Sequence, residues 1–212
     1  MEAAATLADL ELCDAREWRL GPDRLWCLTP VRNGVCHTVP DLSRDVIWFD
    51  GEPPRVSDRT VEPVRTALVE GSSVVGIRFA PSVVSIELDP RWDGWSAAST
   101  SERLRLLERA LADGALRVEA DPVFDAVLTS LDRAEVRMRE VAAGLGVSER
   151  QLLRWTNRTV GLTPKQLHRF LRVRRFWEAG PGSPLAVRSA EAGFYDQSHA
   201  SNEIVAITGL RP

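Results

Sequence analysis

The chain is short of several residue types: its 212 residues contain one lysine, one tyrosine, two methionines and three cysteines. Cys13, Cys27 and Cys36 are an odd number with no CxxC pair, which excludes a disulfide framework and points to a reducing compartment. Cys27, Cys36 and His37 do not have the intervals of a zinc signature, whose paired ligands sit about two to four residues apart, so neither a metal nor another cofactor is expected. No run of about 18 apolar residues and no basic-then-apolar leader is present, so neither a membrane span nor a secretion signal is expected and the protein reads as cytoplasmic. Of three histidines, His168 and His199 lie in the last third of the chain. No Ser/His/Asp set or carboxylate pair is spelled out, and an enzyme is not expected.

Charge is unevenly placed. Residues 1–130 carry 14 Arg/Lys against 22 Asp/Glu, a balance of −8, whereas residues 131–212 carry 13 against 8, a balance of +5. An acidic part joined to a basic one suits a chain of which one part meets a polyanion. All basic residues except Lys165 are arginine, a bias that genome base composition explains without function, the functional reading being that a planar guanidinium matches phosphate and guanine.

The basic part contains a recurring local plan. Met138, Val141, Ala142 and Leu145 recur at the spacing of one helix face, Gly146 supplies a turn, and Ser148 is placed to cap a second helix beginning with Glu149 and carrying Leu152 and Leu153. Two short helices joined by a tight turn are a helix-turn-helix, which presents its second helix to a DNA major groove. Arg150, Gln151, Arg154, Asn157 and Arg158 are the candidate groove-reading side chains. Thr163-Pro164 then restarts the chain as a long helix to about Ala179, with Lys165, Arg169, Arg172 and Arg175 outside its apolar stripe and placed for phosphate contact. After the loop 180–184, Leu185–Ala192 forms another short helix, Gly193-Phe194-Tyr195 a turn, and Asp196 caps a helix through Ile207. The plan has repeated, with Gln197, Ser198, Ser201 and Asn202 as the second set of candidate readers and Asp196 as a cap.

In the acidic part, Arg24–Pro30, Val35–Val39, Asp45–Phe49 and Ser73–Phe79 are short Val/Ile/Trp/Phe-rich runs punctuated by Gly and Pro, which predicts strands of a small sheet or barrel. Ser101–Leu111 and a segment opening at Asp121-Pro122 predict helices. The domain reading is a β-rich, ligand-sensing domain over 1–98, a helical linker region over 99–130 and a double helix-turn-helix domain over 131–212. Five of seven tryptophans lie in the front part. Trp26, Trp48, Trp92 and Trp95, with Cys36, are the candidate lining of a pocket for a small apolar, aromatic or cationic effector; the competing reading is that the rings complete a small core.

The segments VAAGLGVSERQLLRW, VGLTPKQLHRFLRVRR, AEAGFYDQSHASNE and TGLRP resemble the AraC/XylS family of bacterial transcription regulators over about residues 133–212. The resemblance implies two helix-turn-helix subdomains bridged by the helix 164–179. Val39-Pro40-Asp41 through Trp48, and Gly76–Pro81, are similar to the small cupin-like N-terminal domains of some members. The implied fold class is α+β: a cupin-like barrel followed by helices and an all-α C-terminal domain. The implied function is a DNA-binding regulator answering to a small molecule or stress signal. Its partners would be double-stranded DNA, an effector in the front domain and RNA polymerase, and its state a monomer or homodimer. Thr156 stands where the family has Phe, which predicts that Trp155 replaces it as the core aromatic. Ala200, Asn202 and Ile204 stand for the usual Leu, Arg and Phe, which predicts a weaker second reader. On the residues alone two other readings stay open: a cysteine-based alkylation or redox sensor coupled to DNA binding, with Cys36 beside His37, and an interaction module that has lost DNA binding.

Overall fold

The computed structural model describes residues 12–90, 99–180 and 182–212. The first strands are β1 (Cys13–Leu20), β2 (Asp23–Pro30), β3 (Gly34–Thr38), β4 (Arg44–Phe49), β5 (Arg55–Val56), β6 (Val64–Leu68), β7 (Val74–Phe79) and β8 (Val83–Leu88). Helix α1 (Thr100–Ala112) and strand β9 (Leu116–Ala120) follow, then α2 (Pro122–Leu131), α3 (Met138–Gly144), α4 (Glu149–Val160), α5 (Pro164–Glu178), α6 (Leu185–Glu191) and α7 (Gln197–Thr208).

The main sheet is antiparallel in the order β1-β2-β7-β4-β5, and β3–β6 and β8–β9 form separate pairs. Central β7 is apolar on both faces because both are covered. Val75, Ile77 and Phe79 pack with Val46 and Trp48 of β4, while Val74 packs with Cys13, Leu28, Cys36 and Leu68. The period of two in a strand is what sends alternate residues to these two clusters. Leu107 and Ala110 of α1 close the first cluster. Arg103 fixes this helix in place, donating to the Trp48 and Ser73 carbonyls at 3.1 and 3.3 Å and to the Ser73 hydroxyl, and pairing with Asp50 at 2.9 Å.

Contacts divide the chain into two units, the first ending at Ala120 and the second beginning at Asp121, with residues 39–41 and 61–63 grouped with the second. The stretch 99–130, expected as a linker, is therefore shared out. Helix α1 and β9 belong to the β-rich unit, because Leu107, Ala110 and Leu116 complete its core. Helix α2 belongs to the helical unit, with Phe124, Val127 and Leu131 fully buried. Its cap is the expected one: Asp121 accepts from Val123 N and Phe124 N at 2.9 and 3.1 Å. The cap of α1 is Ser99, two residues before the expected helix start at Ser101, in a reciprocal box with Glu102. No described helix is long and apolar enough to cross a membrane.

Candidate nucleic-acid interface

Helix α4 has two distinct faces. Leu152, Thr156 and Val160 are its buried residues, spaced four apart. Arg150, Arg154 and Arg158 repeat the same spacing two residues earlier or later, about 200° around the helix, and all three are exposed. Exposed Asn157 flanks the stripe. The start of the helix is fixed by Ser148, whose hydroxyl accepts from Gln151 N, while Gln151 Oε1 accepts from Ser148 N at 2.8 Å. Gln151, expected among the groove-reading side chains, thus has its amide oxygen engaged in a capping box. Gly146 turns between α3 and α4 at φ +68°, a conformation that a Cβ would strain.

Thr156 itself fills the core position, fully buried, with its hydroxyl donating to Leu153 O at 3.3 Å. Trp155 is only half-buried. The expectation that Trp155 takes over as core aromatic is thereby corrected: adjacent residues on a helix lie 100° apart, so Trp155 cannot share the inward direction of Thr156.

The bridging helix α5 begins with a second box, Thr163 with Gln166, and has Pro164 at its first position. Its cations have different fates. Lys165 is exposed. Arg169 is held by Glu203 of α7. Arg172 lies with its guanidinium carbon 5.4 Å from the Phe194 ring centroid and Nη2 3.4 Å from His168 Nδ1, and burial pushes its pKa down. Arg174 and Arg175 both pair with Asp132, at 2.7 and 2.5 Å, and Arg175 also donates to the carbonyls of Arg133 and Ala192 at 2.8 and 3.1 Å. Of the four α5 residues expected to meet phosphates, only Lys165 stands clear; Arg169, Arg172 and Arg175 are used inside the helical unit.

The second helix pair follows the first. Gly193 turns at φ +86°, and a Cβ there would lie 2.6 Å from Ala134 O, so only glycine lets the segment before α3 pack against this turn. Asp196 caps α7 by accepting from His199 N at 2.7 Å. Ala200 and Ile204 are fully buried, occupying the core positions expected of them. Gln197, Ser198 and Asn202 are exposed and Ser201 half-buried. None of the four is cationic. Sequence reasoning passed over Tyr195, which is 92% exposed immediately before the cap of α7. The available signal was its place in a turn between an apolar anchor, Phe194, and the capping Asp196.

This plan, two capped helix pairs around one bridging helix, agrees with the comparison by sequence: the family model described as "Helix-turn-helix domain" matches residues 141–212. Residues 141–212 are an AraC-type helix-turn-helix domain. None of the curated proteins matches the chain in sequence. Among solved structures, ToxT from Vibrio cholerae O395 is similar in fold, with a TM-score of 0.53 at 9% identity over 95% of this chain and 96% of that one. A probable AraC family transcriptional regulator from Rhodopseudomonas palustris CGA009 covers 42% of this chain and 86% of its own, at 16% identity and a TM-score of 0.37.

Of the residues expected to line an effector pocket, Trp26, Trp48 and Cys36 belong to the β-rich unit and are used in packing. Trp48 is 1% exposed and Cys36 3%, each within a core cluster. Trp26 lies across Gly76 of the neighbouring strand, where a Cβ would come within 2.6 Å of its ring, and donates Nε1 to Asp45 at 3.0 Å. The position of Gly76 opposite Trp26 thus seats the ring on the sheet. Trp92 and Trp95 lie outside the described residues. A groove of about 370 Å³ opens instead along the β1–β2 hairpin and α1, with Trp18, Leu20, Leu25 and Leu104 as its apolar lining and Arg19, Arg105 and Glu108 exposed.

Proposed function

We infer that this chain is a sequence-specific, double-stranded-DNA-binding transcription regulator in which the first helix-turn-helix carries most of the base readout. The arginine stripe of α4 supports this reading most strongly: Arg150, Arg154 and Arg158 project opposite the face that Leu152, Thr156 and Val160 bury. Guanidinium groups presented this way suit the O6/N7 edge of guanine, and Asn157 suits adenine. Helix α7 offers hydroxyl and amide groups alone, from Gln197, Ser198, Ser201 and Asn202, and Lys165 adds a phosphate contact. A binding-site selection with the wild-type chain and Arg154→Ala tests this. Loss of preference at one base position is the expected result, and an unchanged preference would refute the assignment.

The finer part of the reading is regulation by a small molecule bound to the β-rich unit. Its support is the groove beside α1, where an exposed indole and three leucines suit a small apolar molecule, with Arg19, Arg105 and Glu108 available to its polar groups. A native mass spectrum of protein purified from its host, repeated with Trp18→Ala, tests it: a retained small molecule that the variant loses is expected. RNA polymerase as a partner, and a monomeric or homodimeric state, belong to the same reading. A thiol sensor is the weaker alternative. Cys13, Cys27 and Cys36 are all buried, and burial pushes the Cys27 thiol above its ordinary range, away from the reactive thiolate.

A further inference from the structure

Tyr195 is the chain's only tyrosine and is 92% exposed, yet its backbone is held from both sides. Before it, Phe194 is buried, with its ring edge-on to Phe176 at 6.3 Å and to His199 at 5.6 Å. Its own N–H donates to His199 Nδ1 at 3.3 Å. After it, Asp196 is fixed by the cap bond to His199 N. A phenol is therefore presented outward from a set backbone, next to Gln197 and Ser198 in the first turn of α7.

We propose that Tyr195 is the anchor of the second reader on duplex DNA, its hydroxyl donating to a backbone phosphate oxygen and its ring lying against the adjoining deoxyribose. The inference rests on the regulator reading. A reading helix meets the groove with its N-terminal residues, so the residue just ahead of the N-cap lies at the groove's edge, where the sugar-phosphate backbone runs. The helix end does not itself offer an anion site, because the Asp196 carboxylate already satisfies an amide there and adds negative charge. No cation on α7 replaces it: Gln197, Ser198, Ser201 and Asn202 are neutral, and Arg169 is paired with Glu203. Tyrosine can serve as a neutral phosphate donor, and its aromatic face tolerates any sequence. Contact at this position fixes register without choosing a base.

The uniqueness of Tyr195 makes the test direct. The full-length chain is treated with tetranitromethane, free and bound to the duplex recovered by binding-site selection, and ring nitration is followed by mass spectrometry. Strong slowing of nitration in the complex is expected. Tyr195→Phe should weaken binding about three- to tenfold for every sequence alike, the effect of one lost neutral hydrogen bond. Tyr195→Ala should weaken it further, and neither change should alter the thermal unfolding of so exposed a site. Nitration at the free rate in the complex, with Tyr195→Ala binding undiminished, would overturn the inference and leave the regulator reading standing; an exposed phenol that served a protein partner would give that result. A chain that bound no duplex even at low salt would overturn both.

Discussion

Arg169 Nε and Nη2 donate to the two carboxylate oxygens of Glu203 at 2.6 and 2.9 Å, joining the bridging helix to the second reading helix. A bidentate pair of this kind engages two of the five guanidinium N–H donors and offsets the arginine's charge with a carboxylate, so we read Arg169 as a structural cation. Arg169→Ala should cost about 1 kcal/mol of stability, near the upper end for a partly exposed pair. It should leave the salt dependence of DNA binding unchanged. Lys165→Ala should do the reverse, lowering the log–log salt slope by about 0.9 for one lost phosphate contact. Equal slopes for the two variants in salt titrations would show that the roles are not divided this way.

Arg154→Ala is expected to cost about 1 to 3 kcal/mol at one base position, the value of a good bidentate base contact. Gln151→Ala should act differently, because the Gln151 side chain closes the capping box on Ser148. Its principal effect should be a loss of about 1 kcal/mol in stability, as for other caps, visible in thermal unfolding without DNA.

His168 provides a pH test. Its Nε2 lies 3.0 Å from Arg133 O, while Nδ1 faces Arg172, and burial first, then the neighbouring arginines, lower its pKa. The neutral ring is therefore the folded form. Where the unfolded histidine is also neutral, above about pH 6.5, stability is fully present. As pH falls below that value the unfolded chain takes up a proton that the folded chain resists, and stability falls. The melting temperature of the helical unit should drop between pH 7 and 5 with the wild-type chain, and the His168 contribution to that slope should vanish in His168→Gln.

Thr156→Val should be nearly neutral, because the hydroxyl removed donates only to its own helix and the volume is conserved. Thr156→Phe should destabilise by about 1 to 3 kcal/mol, since the site is fully buried and the surrounding core is closed around a small side chain. Chemical denaturation of the two variants would show whether the usual family aromatic still fits here.

Gly76→Ala places a methyl 2.6 Å from both the Trp26 ring and Val46 O. Moving the indole off the sheet relieves only the first contact; the second is backbone of the central β4–β7 pair, so the strands must shift as well. A loss of about 1 to 3 kcal/mol is expected, with a change in Trp fluorescence accompanying it. Unfolding and emission measured together would separate the two effects.

Capping and helix faces could be read from the chain because they depend on a few neighbouring residues. Ser148, Thr163 and Asp196 cap where their hydroxyl or carboxylate chemistry predicts, and Asp121-Pro122 starts α2. The strands were harder. Central β7 announced itself by an apolar run, but edge strand β1, with Asp14, Arg16, Glu17 and Arg19 among its eight residues, carries no such run and owes its form to pairing with β2. Strand β9 likewise depends on β8.

The sequence by itself determined the helix-turn-helix plan, the arginine stripe of α4 and the neutral outer face of α7, because these follow from spacing along one helix. Tertiary structure decided how the remaining side chains are used. Trp48 and Cys36 went to the core and Trp26 to the surface of Gly76, since an indole or thiol can pack or display and only its neighbours choose. Arg169, Arg172 and Arg175 face carboxylates, a ring and carbonyls brought close by segments distant in the chain. Charge is written in the sequence; the availability of that charge to DNA is set by which partners the fold places within a few ångströms.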